Sequence, residues 1–150
     1  MPSRVVFGSH LDSDFSMPNL APPVSENAVS VVLPSQGFTN VARLVTGAFG
    51  SQLALGFDAI DDLQLAIEVV LGSLPVRGSH ATLAFASDSG NLTLTVGPFE
   101  EQLIEERLDE VFRDGLGLRS FLGRLVDSIE IVEAASSAVV LRKKLEASEA

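Results

Sequence analysis

Apolar positions along this chain follow two rhythms, one repeating every second residue or in short solid runs, the other every three to four. Residues 28–33 form a Val-rich run closed by Pro34, as a strand would be. After the turn Ser35-Gln36-Gly37, Phe38, Val41, Ala42, Val45, Ala48 and Phe49 return at helical spacing, which predicts a helix over 38–53. Gly47 and Gly50 weaken its end, each by up to ~1 kcal/mol relative to Ala. The best-formed helix spans 58–74. Ile60, Leu63, Ile67, Val70, Leu71 and Leu74 make its apolar stripe, and Asp61, Gln64 and Glu68 a polar one. Asp62, Ala66, Val69 and Ser73 form a third line between them. Asp58 is placed to cap its start, and Pro75 and Gly78 to end it.

Residues 81–86 and 92–96 read as two strands about Asp88-Ser89-Gly90-Asn91, a hairpin turn, with Gly97-Pro98 stopping the second. Residues 99–112 are helical, with Ile104, Leu108 and Val111 inward. Glu100, Glu101, Glu105, Glu106, Asp109 and Glu110 face outward, and a solvated face is the default for such a run. Asp114-Gly115-Leu116-Gly117 then leads into a helix over 118–127, whose inner face is Leu118, Phe121, Leu122 and Leu125. Two strands, 128–134 and 138–143, close the pattern about Ser136-Ser137. Strands arriving in neighbouring pairs predict an α+β fold: a two-layer sandwich of a mixed, mostly antiparallel sheet with helices on one face. Residues 1–27 carry Pro2, Pro18, Pro22 and Pro23 and little periodicity, so they read as a flexible arm ahead of one domain, 28–145, with a short tail, 146–150.

Composition narrows the function classes. The 150-residue chain is 46% hydrophobic, enough for one proper core, and has no Cys, Trp or Tyr. Disulfides, thiolate catalysis and cysteine metal sites are excluded. Ten Lys and Arg against 20 Asp and Glu give a net charge of −10, which argues against nucleic acid and anionic membrane as partners. No apolar run approaches the ~18 residues of a membrane helix, and the start carries no secretory pattern, so a cytoplasmic location is expected. His10 and His80 lie far apart in loops, and no metal site, zinc spacing or nucleophile elbow is legible.

Gly115 and Gly117 ahead of a helix offer two readings. They permit close approach of a ligand to unpaired N–H groups at a helix N-terminus, which suits phosphate; or they form a turn that starts the helix.

The element order and two stretches resemble the Bergerat-type ATPase domain of histidine kinases and gyrase-type ATPases (the GHKL superfamily), and more closely the bacterial anti-sigma factor serine kinases. Ile60-Asp61-Asp62-Leu63-Gln64-Leu65-Ala66-Ile67 is similar to the start of that family's nucleotide-site helix. Gly115-Leu116-Gly117-Leu118, with its helix and closing hairpin, looks like its second glycine box. The resemblance implies a histidine kinase-like ATPase fold over residues 28–145. It also implies a Glu base and an Asn magnesium ligand, but those positions here are Val69 and Ser73. The Asp that would bind adenine falls at about Pro98. Glu68 lies one residue, about 100°, from the base position, and belongs to the polar stripe. The segment corresponding to the phosphate lid is the acidic helix, and Arg113 is the cation beside the glycines.

The implied function is therefore a regulatory protein-binding module of the anti-sigma factor type. Its partner would be a sigma factor or an antagonist protein, its nucleotide site decayed, and a homodimer would be in keeping with the family. The alternative is an active ATP-dependent serine/threonine kinase with a divergent site. Gly115, Leu116, Gly117, Leu118, Ser73 and Arg113 would then contact Mg-ATP or Mg-ADP, and Glu68 or Asp62 would serve as base.

Overall fold

The Val-rich run becomes the edge strand of a sheet whose other strands come from the two predicted hairpins. The structure is a computed structural model that describes residues 27–88, 90–110, 117–133 and 137–145. Its elements are β1 (Asn27–Pro34), α1 (Thr39–Gln52), α2 (Phe57–Ser73), β2 (His80–Asp88), β3 (Asn91–Phe99), α3 (Glu101–Asp109), α4 (Leu118–Gly123), β4 (Ser128–Glu133) and β5 (Ser137–Lys144). The strands form one five-stranded sheet in the order β1-β2-β3-β5-β4. The fold is α+β, as expected.

The sheet is not mixed: each of its four pairings is antiparallel. A single crossover helix would bring the next strand back parallel. Here the connection from β1 to β2 is a pair of helices, α1 and α2, which reverses the direction once more. The tails of the domain assignment, 1–26 and 146–150, lie outside the described residues, and Asn27 opens β1 rather than closing an arm.

Alternate residues of the strands point at the helices. Val31, Leu33, Leu83, Phe85, Leu94, Val96 and Leu141 share one core with Leu63, Ala66, Ile67 and Val70 of α2. Ala42 and Phe49 of α1, Ile104 and Leu108 of α3, and Leu118 and Leu122 of α4 join them. Each large side chain so buried contributes about 1.5–3 kcal/mol. The Phe49 and Phe85 rings sit 5.2 Å apart, fastening α1 over the β1–β2 half. α1 runs through both of its glycines to Gln52, and at Gly50 the missing side chain lets Ile60 of α2 close in.

The boundaries of four expected elements move. α2 starts at Phe57 with Gly56 as its cap position, so Asp58 is in the first turn. There its charge meets the helix dipole without acting as a side-chain cap. β3 continues through Gly97 and the cis-linked Pro98 to Phe99. It does so by a bulge: Val96 pairs with Val139, then Phe99 with Ser137, which leaves one extra residue on β3. Phe99, fully buried, thereby belongs to the sheet, and α3 shortens to 101–109. Val111 lies outside the described residues. α4 ends at Gly123, yet Leu125 and Val126 stay buried beyond it, and the Asp127 N–H donates to the Arg142 carbonyl at 2.8 Å.

The bulge sets a tight fit. A Cβ on Gly97 would stand 3.0 Å from the Ser137 carbonyl oxygen and 3.1 Å from the Ala138 Cβ. Gly97→Ala is expected to cost about 1–3 kcal/mol through overpacking, read as a lower urea midpoint at unchanged slope. The neighbouring Ser137 hydroxyl is buried with no hydrogen-bond partner among the described residues. Ser137→Ala should stabilise the protein by about 1 kcal/mol, because it removes an unpaired polar group. In a chain of this size that is a rise of about 2–4 °C in Tm.

Candidate functional site

The candidate site residues are spread over α2, the start of α4 and the chain between α3 and α4. α2 presents different flanks to different neighbours. On the flank toward α1, Glu68 lies 3.6 Å from the Arg43 Nε, with both side chains 45% exposed, and Gln64 Nε2 donates to the Arg43 carbonyl at 2.9 Å. An exposed pair of this kind is worth at most about 1 kcal/mol. Glu68 is thus engaged on the outer surface, in line with its place in the polar stripe.

The flank toward β5 is built differently. Lys143 shares a register position with Leu92, and its neighbours on that face, Val139 and Leu141, are fully buried. A lysine in this inward position has to satisfy its ammonium locally. It does so by donating to the Leu125 carbonyl at 2.8 Å, just beyond α4, and by lying 3.7 Å from the Asp62 carboxylate of α2. The Lys143 side chain is only 16% exposed. One ammonium therefore ties α2, β5 and the end of α4 together. The sequence reading missed Lys143; the available signal was a charge in the apolar register of a strand.

Val69 is half-buried and packs against the core, and Ser73 is half-buried as the last residue of α2. Leu118 is almost completely buried and belongs to the core. Gly117 has φ −91°, which any residue adopts, so backbone freedom does not explain it. Close approach does: a Cβ there would meet the Glu110 carbonyl oxygen at 3.1 Å. The space that its missing side chain leaves is occupied by the end of the acidic helix. Arg119 Nε holds Asp109 at 3.3 Å across the same α3–α4 contact. Gly115, Leu116 and Arg113 lie outside the described residues.

At the positions that the resemblance picks out, the described side chains offer few ligands for a magnesium nucleotide. Magnesium asks for carboxylate or amide oxygens in an octahedral set. The positions in question offer the hydrocarbon of Val69, one hydroxyl from Ser73, and Pro98, whose carbonyl accepts the Arg77 N–H at 2.9 Å. Among the described residues no group of three or more His, Asp or Glu side chains is arranged to hold a metal ion, and no helix is long and apolar enough to cross a membrane.

These features define an α+β domain, an antiparallel sheet under a helical layer, with its longest helix pinned by a half-buried lysine. The chain matches no known family model and no curated protein.

Lys143→Met should cost about 1–3 kcal/mol, because it strands the Leu125 carbonyl and releases Asp62. Asp62→Asn should cost under about 1 kcal/mol and Glu68→Ala within about 0.5 kcal/mol, as partly exposed charges do. Chemical denaturation of the three variants checks this ranking.

Proposed function

We propose that this domain is a regulatory protein-binding module of the anti-sigma factor type, laid out on the histidine kinase-like ATPase plan and working without nucleotide. Its partner on this reading is a sigma factor or an anti-sigma antagonist protein, met in the bacterial cytoplasm. The order of strand, two helices, hairpin, two helices and hairpin supports the plan. The observation that carries the loss of nucleotide is the chemistry along one line of α2. Where the resemblance would put a base and a magnesium ligand, the chain has Val69 and Ser73, and Asp62 on that line is held by Lys143.

A binding role also suits the outer side of the helical layer. Leu44 is 71% exposed and Phe57 88% exposed, with Phe38, Val41 and Leu65 also open to solvent. Large apolar side chains gathered on one layer are what a protein partner covers.

Melting the protein with millimolar Mg-ATP or Mg-ADP tests the reading. The expected Tm is the same with and without nucleotide. Binding at 100 times Kd would add about 2.7 kcal/mol, a rise of roughly 5–10 °C. A rise of that size would overturn the proposal, and phosphate transfer to a protein serine would establish the kinase alternative in its place.

A further inference from the structure

The sheet has a second face, opposite the helices. Strand pairing sets Ser30, Ala84, Thr95, Val140 and Glu130 in one row across all five strands. Ala28, Ala86, Thr93, Arg142 and Ser128 form the row beside it. These residues alternate with the helix-facing set, and the apolar ones among them stand outside the core that the helices share. An antiparallel sheet that leaves this face to water carries polar, exposed side chains on it.

Here the centre of the face is uncharged and buried. Ala84 is 5% exposed, Ala86 4%, Thr95 8% and Val140 5%. In-row neighbours flank a valine but do not remove its outward end from water; that takes a layer on top. Among the described residues no helix supplies one.

We propose that residues 1–26 of this chain lie across that face as its covering layer. The segment joins the sheet at Asn27, next to the buried Ala28, so it is delivered to the edge of this face. Its reach is ample: 26 extended residues span up to about 85 Å, whereas five strands are about 19 Å across. Val5, Val6, Phe7, Leu11, Phe15 and Leu20 bring apolar side chains to fill the space above alanines and threonines. Pro18, Pro22 and Pro23 favour the extended backbone that lies flat on a sheet. The other stretches outside the described residues, 111–116, 134–136 and 146–150, are too short to span the rows. The competing occupant is a second copy of the chain.

The absence of cysteine allows a direct test in the full chain. Thr93→Cys places a reporter thiol on the covered face, and Ala42→Cys one in the helix-side core. Maleimide labelling is followed in the parent and in the Val6→Asp, Phe7→Asp, Phe15→Asp variant. The expected result is slow labelling of the Thr93→Cys thiol in the parent, at a rate independent of protein concentration. In the charged variant it speeds up by at least about ten-fold while the Ala42→Cys thiol stays protected, as for local opening. Fast labelling in the parent, no change in the variant, or labelling that accelerates on dilution overturns the proposal, the last in favour of a second copy. Should the charged variant open both thiols, disulfide trapping decides. Thr93→Cys paired with Phe7→Cys or with Phe15→Cys should give an intramolecular cross-link under mild oxidation. No cross-link, or only an intermolecular one, overturns it.

Discussion

At Gly97 the backbones of β3 and β5 come together with no room for a side chain between them. β3 is the middle strand of the sheet, with the β1–β2 pair on one side and the later β4–β5 hairpin on the other. The same few residues also meet the loop after α2. The Arg77 N–H donates to the Pro98 carbonyl and the Glu100 N–H to the Pro75 carbonyl, each at 2.9 Å, and Val76 bridges to Phe99. The bulge that accommodates Gly97 is what turns Phe99 into the core and starts α3 where it starts. Two halves that are distant in sequence are thus locked at a point where neither strand can shift without a clash or a lost ladder bond.

Given that lock, the position of α2 follows. Its apolar stripe joins the core shared with the sheet, and its two polar flanks fall against α1 and β5. The flank that meets β5 is the more constrained, because Lys143 sits in an inward register and its ammonium needs acceptors from within the protein. Asp62 and the Leu125 carbonyl provide them. In a chain of net charge −10 the cations are outnumbered two to one. A lysine spent inside the fold, while α3 keeps Glu105, Glu106, Asp109 and Glu110 in solvent, is therefore a local packing requirement rather than a response to overall charge.

Much of this was legible in advance. The helices were found because burial on one side imposes a 3.6-residue stripe, and the hairpin at 88–91 because Gly90, at φ +100°, needs a turn residue. A mostly antiparallel sheet was legible from strands arriving in neighbouring pairs; that no pairing is parallel was not, since periodicity marks an element without saying which way it runs. Pro98 misled because proline removes a ladder donor and usually ends a strand; the bulge placed it where that donor is not used. Gly117 read equally well as a phosphate cradle or a turn. The Glu110 carbonyl at the position of its missing side chain is a tertiary contact that no local pattern encodes. Lys143 was hidden for the same reason: its acceptors come from residues 18 and 81 positions away.

These contacts bear on where a partner can act. The resemblance rests on the long helix and the glycine segment, and among the described residues these are held by Lys143, by the α3–α4 contact at Gly117 and by buried Leu118. The opposite sheet face, on the proposal above, is taken by the chain's own first 26 residues. That leaves the outer side of α1 and α2, where Leu44 and Phe57 are exposed although their helices are otherwise well packed. A backbone already fixed in a helix pays no further ordering cost when a partner covers it, so only the side-chain rotamers are lost there. A module working this way needs its helical layer held firmly on the sheet, and Lys143 and the Gly97 junction supply that rigidity. On this reading the glycine segment and the long helix, the two features that resemble an ATPase, serve as scaffold, and recognition has moved to the surface they support.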